Sequence, residues 1–181
     1  MPNLVLQGGA GWLLEDDRTV IGGARLVDGR WLPWHPPCMQ VNGPAGLAAS
    51  TAQDVIAVCF QGIWGPASPA GVRAYISTDG GNSFHLLSAP LPSSAGGQGR
   101  LASPSPGTAF LAGGAGLLAT FNGGATWSTV YQPPEGSWLD YVGFETVTQG
   151  VAISIDDSGA TPVGSLLMTL DGGHRWSLVT L

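Results

Sequence analysis

The chain is 181 residues long and 44% hydrophobic, with 29 Gly and 14 Pro, which allows one packed domain but is too rich in backbone punctuation for helical packing. Six Arg, no Lys and 12 acidic residues leave a net charge of −6, which excludes a nucleic-acid partner held through clustered cations. No apolar run approaches the roughly 20 residues of a membrane helix, so no transmembrane segment is expected, and the stretch after Met1 lacks a signal-peptide pattern.

From the N-terminus onward, short apolar runs broken by Gly or Pro read as strands. The first four are expected over Asn3 to Leu6, Gly11 to Leu14, Thr19 to Leu26 and Arg30 to Trp34. The next four cover Gly46 to Ser50, Val55 to Phe60, Val72 to Ser77 and Ser83 to Leu87. A third group covers Arg100 to Ser103, Thr108 to Ala112, Leu117 to Thr120 and Thr126 to Tyr131, and a fourth covers Leu139 to Phe144, Val151 to Ile155, Ser165 to Thr169 and Trp176 to Thr180. No segment sustains an apolar period of 3.6 residues, which predicts essentially no helix. The expected fold class is all-β: a β-propeller of about four four-stranded antiparallel blades. Their approximate bounds are 1–37, 38–89, 90–133 and 134–181, forming one propeller domain or part of a larger propeller.

A repeated turn sets that count. Ser77-Thr78-Asp79-Gly80-Gly81-Asn82-Ser83-Phe84, Thr120-Phe121-Asn122-Gly123-Gly124-Ala125-Thr126-Trp127 and Thr169-Leu170-Asp171-Gly172-Gly173-His174-Arg175-Trp176 share one pattern: Ser/Thr, any, Asp/Asn, Gly, Gly, any, any, aromatic. Asp79 and Asn122 lie 43 residues apart, and Asn122 and Asp171 lie 49 apart, each the length of one blade. Asp28-Gly29-Arg30-Trp31, 51 residues before Asp79, is a degenerate copy without the second Gly. Paired Gly supply the positive φ angles of a tight reversal, Asp or Asn accepts N–H bonds from its own turn, and a Ser or Thr hydroxyl completes the network. The aromatic folds back to anchor the turn.

This pattern resembles the Asp box, or BNR repeat, of sialidases, sortilin, xyloglucanases and the photosystem II assembly-factor-like propellers, and is most similar to the last. The resemblance implies that the boxes are structural turns on one face of the propeller, remote from the usual ligand site. It also implies work outside the cytoplasm, secreted or in the envelope, although this chain shows no signal peptide.

Strand parity then places His35 to Asn42, Gly62 to Gly71, Ser88 to Gly99, Gln132 to Ser137 and Asp156 to Gly164 at the end opposite the boxes. Long loops on a rigid scaffold commonly carry binding. Here Trp64, Glu135, Asp156 and Asp157, with Trp138 adjoining, form a candidate binding face suited to a glycan or a peptide. The competing reading makes Trp64 and Trp138 covers between blades, and Asp156-Asp157 a solvated turn. His35 and Cys38 are too few ligands for a zinc site, and no metal or cofactor is expected. Met39 belongs to the same loop set, while His85 and His174 sit beside boxes at the surface. Cys38 and Cys59 either form one disulfide in an oxidising compartment or remain two buried thiols.

The arginines are spread singly, outside any Arg-Ile-Pro motif, and no residue carries over onto the catalytic positions of xyloglucanases. The expected function is a non-catalytic binding or assembly scaffold for a protein or glycan partner, although the chain has no counterpart of the basic patch used by the assembly-factor propellers. The alternatives are a glycoside hydrolase of sialidase or xyloglucanase type, which would need paired carboxyls, and a structural subunit that completes a propeller by homo-oligomerisation through blade edges.

Overall fold

The structure, a computed structural model, describes residues 3–17, 19–39, 43–61, 71–87, 91, 100–113 and 116–180. Among these residues sixteen strands form four antiparallel sheets, each an up-and-down meander in sequence order. The first sheet holds Asn3–Gln7 (β1), Ala10–Asp17 (β2), Thr19–Val27 (β3) and Arg30–Trp34 (β4). Ala45–Ala49 (β5), Val55–Gln61 (β6), Gly71–Ser77 (β7) and His85–Leu86 (β8) make the second. The third comprises Arg100–Ser105 (β9), Thr108–Gly113 (β10), Gly116–Thr120 (β11) and Ser128–Tyr131 (β12). The last comprises Ser137–Phe144 (β13), Gly150–Asp156 (β14), Val163–Thr169 (β15) and Ser177–Leu178 (β16). The fold is all-β and of β-propeller type, as the strand pattern implies. Among the described residues no helix is long and apolar enough to cross a membrane.

The chain divides into two compact units, residues 1–93 with the first two sheets and 94–181 with the last two. In the first unit, period-2 alternation turns Trp12 and Leu14 of β2 into the core, at 0% and 1% exposure, while Leu13 between them stays half-buried. They meet Leu47, Val55 and Ala57 of the second sheet. Cys38, in the connection between the two sheets, is disulfide-bonded to Cys59 of β6 across a separation of 21 residues. The bridge lies in the same core, and Met39 packs against it.

In the second unit the alternating residues Phe110 and Ala112 of β10, with Leu117 and Ala119 of β11, pack on Leu139, Ala152 and Leu167 of the last sheet. Phe110 is fully buried, stacked on Phe144 with centroids 4.7 Å apart and edge-on to Trp176 at 6.1 Å. Fully burying a side chain of this size stabilises by about 1.5–3 kcal/mol.

The fourth strands of the last three sheets begin later than the sequence pattern implies: at His85, Ser128 and Ser177 rather than Ser83, Thr126 and Trp176. The cause lies in the turns that precede them.

Candidate functional site

All three paired-glycine turns join the third and fourth strands of their sheets. In the second sheet Ser77 is fully buried, and its hydroxyl donates to Asp79 Oδ1 at 2.7 Å while accepting the Gly81 N–H at 2.8 Å. Asp79 Oδ1 in turn accepts the Ser83 N–H at 2.9 Å, and its other oxygen takes the Ser83 hydroxyl at 2.6 Å. The last turn repeats this with Thr169, Asp171 and the N–H groups of Gly173 and Arg175, each contact 2.9 Å. Because the bond from the carboxylate reaches the fourth residue onward, the chain is still reversing there. The aromatic that follows, Phe84, Trp127 or Trp176, therefore ends the turn instead of opening the strand, which explains the late start of the fourth strands.

Asn122 fits the middle turn because only one acceptor oxygen is indispensable. Its Oδ1 accepts the Thr126 N–H at 3.0 Å and the Thr120 hydroxyl at 3.1 Å, and its amide donates to Thr126 Oγ1 at 2.9 Å. Thr120 Oγ1 takes the Gly124 N–H at 2.8 Å, as in the other two turns. Each turn is also tied to the hairpin between strands one and two of its own sheet. Gly80, Gly123 and Gly172 donate to the carbonyls of Gln53, Gly107 and Thr148 at 2.9, 2.8 and 2.9 Å.

The second glycine meets a further demand, from the preceding sheet of its unit. Gly81 has φ 83°, and a Cβ there would lie 3.0 Å from Trp12 Nε1. Gly173 has φ 87°, and a Cβ there would run into the ring of Phe110. Trp12 and Trp34 also donate to the carbonyls of Gly80 and Gly81, at 3.0 and 2.8 Å. Arg25, which the sequence pattern does not single out, donates to Gly80 O at 3.0 Å and lines an open cleft of about 330 Å³ beside Asp79 and Asn82. Nothing in the spacing of Trp12, Arg25 and Trp34 signals these bonds, because they form only once two sheets meet. Trp176 Nε1 donates to Gly173 O at 3.0 Å, whereas Trp127 Nε1 is buried without a partner among the described residues.

The first sheet departs from this plan. Asp28 and Gly29, with φ 49° and 74°, form a two-residue hairpin between Val27 and Arg30, the geometry paired positive φ angles favour. Lacking the second Gly, it reverses two residues sooner, so Trp31 pairs with Leu26.

Hydrogen bonds hold both turn carboxyls below the usual carboxylate range. For Asp79 the Ser83 hydroxyl and N–H contribute most, followed by Ser77. For Asp171 the Arg175 N–H leads, supported by Thr169 and by the charges of His174 and Arg175. Groups with depressed pKa values stabilise the fold above their unfolded pKa of about 3.9, and that contribution is lost as pH falls through the folded value.

At the other end of the last sheet Ser137 pairs with Asp156 and Asp156 with Val163, so the loops before β13 and after β14 adjoin. A Cβ on Gly136 would sit 3.4 Å from Ser158 Cβ. Glu135 and Asp157 are exposed here, and Trp138 is half-buried opposite Ile155. Asp156 accepts the Ser158 N–H at 2.9 Å, and the Ser158 hydroxyl and N–H keep its carboxyl below the ordinary range. Asp156 thus caps a turn. Trp64 and the loop around it lie outside the described residues. His35 and His85 are exposed, and so is His174, although it stacks on Phe121 at 4.2 Å. Among the described residues no group of three or more His, Cys, Asp or Glu is placed to hold a metal ion.

Neither a protein-family model nor a curated protein sequence matches the chain. Solved structures do. The GH74 xyloglucanase from Xanthomonas campestris superposes with a TM-score of 0.67 at 16% identity, covering 98% of this chain and 30% of the enzyme. The GH74 enzyme of Niastella koreensis gives 0.63 at 17% identity over 98% of this chain and 29% of the other. YCF48 bound to a D1 peptide gives 0.51 at 13% identity, covering 97% of this chain and 80% of YCF48. The chain therefore spans about a third of the length of the xyloglucanases it matches and most of YCF48. At these identities the likeness is one of fold, and its conclusion is that the four sheets are blades of β-propeller type.

Proposed function

We propose that this chain is a non-catalytic propeller scaffold whose three paired-glycine turns are Asp boxes, and which binds an extended protein or glycan segment through the loops around Glu135, Trp138 and Asp157. One observation carries this reading: among the described residues the carboxyls whose acidity is displaced, Asp79, Asp156 and Asp171, are all pushed toward the ionised form by bonds within their own turns. Glycoside cleavage needs, beside an ionised base or nucleophile, a carboxyl kept protonated to donate to the leaving oxygen, and none of these three is held in that form. The two ends of the blades thus divide the work: boxes hold the turns, and an end with the half-buried Trp138 beside the exposed Glu135 and Asp157 remains for a ligand. YCF48, in its complex with a D1 peptide, is a structural neighbour with a bound peptide. The Cys38–Cys59 bridge fits an oxidising compartment outside the cytoplasm.

The better superposition of the xyloglucanases favours a second reading, a glycan-active hydrolase. A panel of fluorogenic sialosides, xyloglucan and β-glucan oligosaccharides, together with an extended-peptide array, separates the two. The scaffold reading expects no turnover, and retention of a peptide or glycan that weakens at least about tenfold in Trp138→Ala with an unchanged melting temperature, the effect of losing a buried aromatic anchor. Turnover abolished by Glu135→Gln or Asp157→Asn contradicts it.

A further inference from the structure

In both units neighbouring sheets meet in the same sense. A second-strand side chain of the earlier sheet, Trp12 or Phe110, presses on the second turn glycine of the later one, and an aromatic of the earlier sheet meets the box aromatic: Trp34 against Phe84 at 6.0 Å and Phe110 against Trp176 at 6.1 Å. Each contact therefore has a giving face and a receiving face.

The first sheet has a receiving face that no described residue of its unit covers. Opposite Trp12, two rows cross all four strands: Leu4, Leu13, Ala24, Pro33 and Leu6, Gly11, Leu26, Trp31. Neither row contains a charged or hydrogen-bonding side chain apart from the Trp31 indole. Leu4 and Leu6 are 55% and 60% exposed and Trp31 46%. Trp31 stands next to the turn, across from Leu26, where the later sheets hold the box aromatic. Leu6 and Trp31 lie over Gly11, whose Cβ they would meet at 2.8 and 2.9 Å.

A giving face without a receiver among the described residues lies on the last sheet. Opposite the buried Ala152 and Leu167 run Tyr141, Ile153 and Leu166 in one row and Gly143, Val151 and Met168 in the next. Val151 occupies the place of Phe110, since each lies three residues beyond the carbonyl, of Thr148 or Gly107, that binds the first turn glycine. Tyr141 is 44% exposed and leans over Gly143. Uncharged sheet faces of this extent are costly to leave in water and mark interaction surfaces.

We propose that these two faces are partners between copies: the receiving face of the first sheet, centred on Leu6 and Trp31, docks on the giving face of the last sheet of a second copy of this chain, centred on Tyr141 and Val151. The contact is head-to-tail, continuing between chains the packing seen within each unit, and it joins copies in series. It is independent of the ligand reading above.

Light scattering of the purified chain should give a mass of two or more chains, rising with concentration or fixed if the series closes. Leu6→Lys and Tyr141→Asp, both at exposed positions, should each shift it to a single chain's mass with unchanged circular dichroism. Mixing the two variants should give a one-to-one pair of twice a single chain's mass and nothing larger, because the pair has one unaltered face of each kind and therefore one intact contact. Leu4→Lys and Met168→Glu provide a second pair if either variant fails to fold. A wild-type chain of single mass at every concentration overturns the proposal, as does dissociation by only one of the pair, which would mean that like faces meet.

Discussion

Gly173→Ala is expected to destabilise the second unit by roughly 3 kcal/mol, from a left-handed φ costing about 1–2 kcal/mol and core overpacking costing about 1–3 kcal/mol. Gly173 has φ 87°, and its Cβ position is occupied by the Phe110 ring. That ring cannot retreat, being fully buried and held against Phe144 and Trp176. Gly123 supplies the control, because φ there is 69° but nothing lies within 4 Å of the place an alanine methyl would take. Gly123→Ala should therefore cost only about 1–2 kcal/mol, the backbone contribution alone. Urea denaturation of both variants measures the difference. Adding Phe110→Leu to Gly173→Ala should recover part of the loss, the coupling expected of residues in contact. Equal costs at the two glycines would mean that the approach of Phe110 adds nothing.

Replacing Cys38 and Cys59 together by Ala should lower the stability of the first unit by about 3 kcal/mol, the loop-closure value for a separation of 21 residues. Both cysteines are completely buried, so Ala is preferred to Ser, whose hydroxyl would enter an apolar core unpaired. Chemical denaturation with and without reductant should show the wild-type protein losing the same increment once its bridge is reduced in the unfolded state, while the double variant does not respond. Two thiols freely alkylated in the native protein would remove the basis of this expectation.

These two sites also mark where sequence reading stops. The strand count and order follow from local patterns, because apolar runs and Gly or Pro breaks act within a few residues of each other. The Ser/Thr, Asp/Asn and Gly pairs of the boxes are equally local, since every bond among Ser77, Asp79 and Ser83 closes within a single turn. Phe110 on Gly173, Trp12 and Trp34 on the Gly80-Gly81 turn, and the choice between bridge and free thiols all depend on residues tens of positions apart. No spacing rule encodes them. The first repeat shows the same boundary: Asp28-Gly29 announces a turn, yet the two-residue reversal that brings Trp31 opposite Leu26 becomes visible only in the register. At the candidate binding end, parity brings Glu135, Trp138 and Asp156 to one end of a sheet, but the bond from Ser158 that commits Asp156 to a turn is a matter of loop geometry that parity does not fix.

Thermal melting of Asp171→Ala beside Asp171→Asn tests most directly the claim that the boxes are struts and not catalytic acids. Asn122 shows that an amide can do the work of the carboxylate in this turn. Asp171→Asn should accordingly melt close to wild type at neutral pH and lose less stability below about pH 4, where in the wild type the unfolded chain's Asp171 takes up a proton that the hydrogen-bonded native carboxyl still resists. Asp171→Ala, with no acceptor for the Arg175 N–H, should melt at a clearly lower temperature at every pH above that range. An Asp171→Ala protein of unaltered melting temperature that has lost ligand binding or turnover would contradict the account.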